Sequence, residues 1–390
     1  MRIIVGSAGA RSDLTFLFAL AHELQKRHHV VTLVAPEKYR SEIMKIEVRM
    51  VTCGRSFEEY LEGNPGEHNN DLAKGLASHV ASQFVSLRDA LREADVFVAG
   101  TFLIPAASMA EKVDLPFFQV IQSPLLLDAD QFPAQGIPKE KVSGLLAGRR
   151  RSSIREDWEN TIGTILNSER KFSHLGPTTN LYKQLFDSGR QLVCVDQEFA
   201  QIEQTPKRSV VGYFNYEPLF EQQLPELLNN KPSIFVGPLQ INQIEREPFL
   251  QALAASLPEY QLIVRADWLG TQEKQLFESC YAIDQALEPA GMLQSAAVVH
   301  QGAAGFVMMC ARAGVPQVIT PFLVDHYFWA DRVRALKLGP DPVEKIEAKS
   351  IAAAVQQAIQ MRDSVASFAE QNRSRNGIAE ACDVIESAGP

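Results

Sequence analysis

The sequence predicts an α/β protein of two domains, each on a parallel sheet, with a cleft between them. Three observations carry this. Short apolar runs rich in β-branched residues alternate with amphipathic helical stretches. The first such group runs strand, glycine loop, helix, strand, and a crossover of that kind joins parallel strands. The alternation stops in a polar, turn-rich stretch at 215–232 and then starts again.

Arg2–Val5 reads as the first buried strand and stops at Gly6-Ser-Ala-Gly9. Leu14, Leu17, Phe18, Leu20, Ala21 and Leu24 then recur at three- and four-residue steps, the period of one helix face. Val30–Val34, Val96–Ala99, Phe117–Ile121, Gln191–Val195 and Val210–Phe214 continue the strands of this half. After residue 232, Ser233–Val236, Gln261–Val264, Ala296–His300 and Gln317–Thr320 repeat the rhythm. An apolar helix over Ala304–Ala313 ends at Gly314-Val-Pro316, since glycine just past a helix and proline soon after stop it. From Ser350 to Ile385 the pattern is helical. The expected division is 1–214, a linker at 215–232, a second domain at 233–365, and a helical segment at 366–390 that packs back on the first domain.

Composition excludes several classes. With 38 Lys and Arg against 47 Asp and Glu, the net charge of −9 opposes binding to nucleic acid, which needs clustered cations. The one basic cluster, Arg149-Arg150-Arg151, reads as a solvated loop or helix end. Five scattered cysteines (Cys53, Cys194, Cys280, Cys310 and Cys382) form no Cys-x-x-Cys pair and suit a reducing cytoplasm. No stretch offers the ~18 uninterrupted apolar residues of a membrane span. No signal peptide, metal site, Walker loop, nucleophile elbow or nicotinamide fingerprint is recognised. Asp128-Ala-Asp130 has the form of a metal-binding pair but falls in a loop where such spacing arises by chance.

Three constellations could carry chemistry. In Val298-Val-His300-Gln301-Gly302-Ala303-Ala304-Gly305 a buried strand meets a small-residue loop that opens a helix. Free N–H groups and the helix dipole attract an anion there, and a diphosphate suits; the alternative is that the small residues only let helix and sheet pack closely. Asp325 follows the strand ending at Thr320, beyond a carboxyl edge where ligands bind in open α/β sheets. It either accepts hydrogen bonds from sugar hydroxyls or caps the helix bearing Trp329, a residue read as core. Asp13 lies in the first strand–helix loop, either as a general base or as a helix N-cap. Phe84, Phe102 and Phe132 are weak candidates for lining an apolar acceptor pocket.

These residues resemble the GT-B glycosyltransferases that use nucleotide-activated sugars, in particular bacterial antibiotic, macrolide and sterol glycosyltransferases. Residues 1–21, with Gly6-Ser7 and Asp13 ahead of Ala19-Leu-Ala21, resemble that family's Gly-Ser-Arg-Gly-Asp start. Lys26 to Pro36 resembles its Gly-His-x-Val segment. Val298 to Gly339 follows its donor-site signature through Ala313-Gly-Val-Pro-Gln317, Pro321-Phe, Asp325 and Phe328-Trp-Ala330. The resemblance implies two Rossmann-like domains, acceptor on the first and nucleotide sugar on the second. It implies displacement at the anomeric carbon with inversion, without metal or cofactor, from a UDP- or dTDP-sugar. It puts Asp13 at the base position, Gln301, Gly302, Ala303 and Gly305 around the diphosphate, and Asp325 and His326 at the sugar. Gly237, Leu287 and His300 complete the donor site. The expected enzyme is cytoplasmic, a monomer or homodimer, and acts on a small apolar secondary metabolite such as a polyketide or sterol.

The departures from the family cluster in the donor site. The histidine that meets the pyrophosphate is Gln301, and the hydroxyl-bearing threonine is Phe306. Gly-Ser is Gly237-Pro238, the base-stacking aromatic is Leu287, and Asp-Gln is Asp325-His326. Two alternatives therefore stand beside transfer: a catalytically silent homologue that binds a metabolite or partner enzyme, and a changed chemistry or unusual donor on the same scaffold.

Overall fold

The structure, a computed structural model, describes residues 1–9, 11–55, 69–100, 102–127, 156, 159–214, 224, 231–284, 287–322 and 325–389, with backbone only at 12 and 69–78. Asp128, Asp130, Phe132, the Arg149–Arg151 cluster and most of 215–232 lie outside these residues. The chain divides into two compact units.

Among the described residues the first unit carries seven strands, β1 (Arg2–Gly6), β2 (Val30–Ala35), β3 (Arg49–Thr52), β4 (Val96–Ala99), β5 (Phe117–Ile121), β6 (Arg190–Val193) and β7 (Arg208–Val210). They pair in the order β3-β2-β1-β4-β5-β6-β7, all parallel. The direction of winding reverses between β1 and β4, so the loop after β1 stands at a switch point, where open sheets leave a crevice. Helices α1 (Arg11–Lys26), α2 (Arg40–Lys45), α3 (Asn69–Ala90), α4 (Ala106–Val113), α5 (Thr164–Phe172) and α6 (Leu181–Phe186) connect these strands. Ile4, Phe97, Leu87, Met109, Leu166 and Phe186 belong to one buried cluster that joins sheet and helices.

The second unit holds β8 (Ser233–Val236), β9 (Gln261–Arg265), β10 (Gln275–Phe277), β11 (Cys280–Ile283), β12 (Ala297–His300) and β13 (Gln317–Ile319). The order is β10-β11-β9-β8-β12-β13, parallel except for β10 against β11. Its helices are α7 (Gln243–Ser256), α8 (Ala266–Leu269), α9 (Glu288–Leu293), α10 (Ala304–Ala313), α11 (His326–Ala335), α12 (Ala348–Gln360) and α13 (Arg362–Asn372). Winding reverses between β8 and β12, which places the loops after both strands at the second switch point. The glycine stop of α10 takes the expected form: Gly314 has φ 74°, and the Val315 N–H returns to Cys310 O at 2.9 Å.

The second unit continues to Arg375, ten residues past the expected boundary, and α14 (Gly377–Glu386) belongs to the first unit. Arg27 reaches Asp383 at 2.6 Å and Glu386 at 3.0 Å, and His29 Nε2 lies 2.9 Å from Glu386. Gly377 is required where α14 begins, because a Cβ there would fall within 2.7 Å of the carbonyl oxygens of Val211, Gly212 and Tyr213. All five cysteines are free and buried. Among the described residues no helix is long and apolar enough to cross a membrane.

Candidate functional site

Asp13 is placed by the loop after β1. Ser7, fully buried, gives its N–H to Val34 O at 3.0 Å and accepts the Gly9 N–H on Oγ at 3.0 Å. Helix α1 starts at Arg11, so Asp13 sits inside the first turn, not at the N-cap position that the sequence left open. A carboxylate in the first turn suits the positive end of the helix dipole. The buried side chain of Gln122, just past β5, donates from Nε2 to Asp13 O at 3.1 Å. Arg11 forms a two-pronged pair with Glu42 of α2, at 3.1 Å on each arm. The Asp13 side chain folds over Gly9, where an added Cβ would fall 2.5 Å from Oδ2.

The second set lies after β12. His300 is 2% exposed, and both ring nitrogens are engaged. Gln317, fully buried on β13, donates from Nε2 to Val307 O at 3.0 Å, so its Oε1 is left to accept from His300 Nε2 at 3.0 Å. That arrangement puts the ring proton on Nε2 and leaves Nδ1 to accept the Gly302 N–H at 3.1 Å. Burial pushes the imidazole down to about 4, the Gln317 bond opposes this, and nearby His326 adds to it. His300 therefore builds the loop as a neutral scaffold rather than turning a nitrogen outward. Sequence reasoning missed Gln317; a lone polar residue in an otherwise apolar buried strand was its signal.

Gly302 turns the chain at φ 101°, and a Cβ there would meet Ile319 Cγ2 at 2.9 Å and His326 O at 3.2 Å. Ala303 then stands at the N-cap of α10 with φ −60° and ψ 134°, without a side-chain cap. The Gly302 amide is used by His300, so an anion would meet the first-turn amides of Ala304, Gly305 and Phe306 and the positive end of the dipole. Gln301 is half-buried beside this turn. Phe306, where the family has a hydroxyl, packs edge-on against His300 with centroids 6.3 Å apart.

Asp325 occupies the N-cap position of α11 but makes no side-chain cap bond. Its Oδ2 instead accepts from Nε1 of Trp329, fully buried, at 2.8 Å. The capping alternative is thus replaced by an indole tether. Beside it His326 has a buried Nδ1 without a hydrogen-bond partner, and burial lowers its pKa while Asp325 raises it. Gly237, after β8, gives its N–H to Val299 O at 2.9 Å, and an added Cβ would lie 3.3 Å from that oxygen. Leu287 is half-buried at the N-cap of α9, next to Glu288, which is 1% exposed and 3.5 Å from Arg265. The structure thus brings His300, Gly302, Ala303, Gly305, Asp325 and His326 to one loop cluster of the second unit.

Two of the acceptor candidates, Phe84 and Phe102, lie in one apolar cluster of the first unit. Phe84 is 1% exposed and lies in the core of the first unit, so it offers no face to a ligand. Phe102 packs partly buried on that core, and its carbonyl accepts from Gln83 Nε2 at 3.3 Å. Phe132 lies outside the described residues. Among the described residues no group of three or more His, Cys, Asp or Glu is placed to hold a metal ion.

No family model matches the chain. It is similar to glycosyltransferase GtfE of Amycolatopsis orientalis, with 24% identity over 87% of this chain and 85% of that protein. Its fold superposes on the glycotransferase of kitacinnamycin with a TM-score of 0.75 at 17% identity, covering 100% of this chain and 99% of the other. Glycosyltransferase VinC in complex with dTDP superposes with a TM-score of 0.68 at 15% identity, over 100% and 99% of the two chains. With two largely parallel sheets and a loop cluster at the second switch point, the chain shares the fold of these glycosyltransferases and is similar in sequence to GtfE over most of its length.

Proposed function

We propose that the protein transfers a sugar from a nucleoside-diphosphate donor to a hydroxyl of a small apolar acceptor. The single observation that carries this reading is the uncapped start of α10, presented by a loop that His300, Gln317 and Gly302 hold in place. In this reading Ala304, Gly305 and Phe306 hold the diphosphate by their amides, and Gln301 adds a neutral hydrogen bond. Asp325 and His326 face the sugar, and Gly237 and Leu287 border the nucleotide. Asp13 takes the acceptor proton as the acceptor oxygen bonds to the anomeric carbon. The bond from that carbon to the diphosphate breaks, and the charge released there meets the helix dipole. Attack opposite the leaving group inverts the anomeric carbon, and the mechanism calls for no metal. The complex of VinC with dTDP supports a dTDP-sugar as donor, with a UDP-sugar as the other candidate. Buried free cysteines agree with a cytoplasmic enzyme.

Three features of the donor loop favour a second reading, a silent homologue. The Gly302 amide is already bonded, Phe306 brings no hydroxyl, and Gln301 cannot become cationic. A thermal-shift panel of nucleoside diphosphates and nucleotide sugars, followed by product assay, separates the two. A ligand at ~100-fold over Kd stabilises by ~2.7 kcal/mol. Stabilisation with product formation supports transfer; stabilisation without product from any donor supports the silent homologue; no stabilisation overturns the donor-site assignment.

A further inference from the structure

We propose that Gly9 and Gln122 are positioning residues for Asp13. This rests on the reading of Asp13 as the base. Three atoms of Asp13 crowd the site of a Cβ on Gly9: Oδ2 at 2.5 Å, Cβ at 2.8 Å and Cγ at 2.9 Å. Rotating the carboxylate cannot clear the contact, because Cβ is fixed to the backbone and is itself too close. Gly9 is not in the left-handed region, so no positive φ reserves the position for glycine, and the nearest atoms to an added Cβ all belong to Asp13.

Relief would need the helix start to move against the loop, and both are held. The Gly9 N–H is bonded to buried Ser7, Ser7 is bonded to β2, and Gln122 grips Asp13 O from the end of β5. Packing on Gly9 thus limits where the carboxylate can go, and the hydrogen bond from Gln122, just past β5, holds the backbone carbonyl of the same residue. A misplacement of a reacting group by about 1 Å costs on the order of 10²-fold in rate.

The test uses the full chain. Gly9→Ala should lower kcat by roughly 10- to 100-fold while donor KM stays within about threefold, because the interaction lost belongs to the transition state. Gln122→Leu, which adds no clash, should lower kcat in the same direction. In an Asp13→Asn background Gly9→Ala should cost little further turnover, since the two act through one group. Unchanged kcat in Gly9→Ala, or an equal loss with and without Asp13, overturns the proposal. If Asp13→Asn itself leaves turnover intact, the base reading is what fails, and melting then decides the packing claim. Gly9→Ala must lower Tm in the Asp13 protein and not in the Asp13→Gly protein; equal effects in both overturn it.

Discussion

His300 Nδ1 accepts the Gly302 N–H at 3.1 Å, and this bond decides which amides of the small-residue loop remain for a ligand. The neutral ring is what makes it possible. A protonated imidazole would present an N–H to an N–H, and the turn at Gly302 would lose its partner.

That relationship gives the first prediction. Burial pushes His300 down to about 4 from its ordinary 6.5, so the unfolded chain binds more protons between these values. The stabilisation is complete above about pH 6.5 and is lost as pH falls toward 4, by on the order of 2–3 kcal/mol. Melting measured from pH 7.5 to 4.5 should show this acid limb, and His300→Gln should flatten it. His326, also lowered by burial, keeps a slope of the same sign in that variant.

Gly302→Ala tests the turn itself. A side chain at φ 101° is strained, and its Cβ would press on Ile319 and His326. The cost should be ~1–3 kcal/mol in urea unfolding. Nucleoside-diphosphate affinity should fall with it, by roughly tenfold, because the loop presents the start of α10.

Gln301→His restores a titrating group at the diphosphate. Its affinity for a nucleoside diphosphate should rise about 3- to 10-fold between pH 8 and pH 6, as the imidazole gains charge. The unmodified protein should show a flatter dependence over that range. Calorimetry at the two pH values reads the difference.

Trp329→Phe removes the indole donor to Asp325 Oδ2, a 2.8 Å bond to a carboxylate. Stability should fall by ~1.5–3 kcal/mol, the range for hydrogen bonds to charged groups. If the tether also sets the Asp325 carboxylate for the sugar, discrimination between sugars of one nucleoside diphosphate should weaken as well, which competition between two donors measures.

The strands of both sheets were legible where apolar runs were long and β-branched, as at Val30–Val34 and Ala297–His300. The missed ones, β3, β10 and β11, are short; β3 and β10 are half-exposed with no apolar run to mark them, and β11 is an apolar run of only four residues. The loop after β12 was legible because glycines and alanines there break a buried strand. What the pattern could not reveal is who uses each hydrogen-bonding group. Asp13 and Asp325 both looked like caps, yet one lies within a helical turn and the other holds an indole. Gln122, Gln317 and Glu42 lie 109, 17 and 31 residues from Asp13, His300 and Arg11, and only the fold brings these pairs together.

The most direct test of the central claim is single-donor turnover by the unmodified protein and by Asp13→Asn. UDP- and dTDP-sugars would be offered with a set of apolar hydroxylated acceptors, and glycoside product quantified. Asn keeps the size and shape of Asp, and the charge lost from the first turn is worth ~0.3–1 kcal/mol of dipole stabilisation, so the variant should stay folded and bind donor nearly unchanged. The account predicts transfer by the unmodified protein and a ~10²–10⁴-fold lower kcat in the variant. Equal turnover by both, or nucleotide binding without product from any donor, would contradict it.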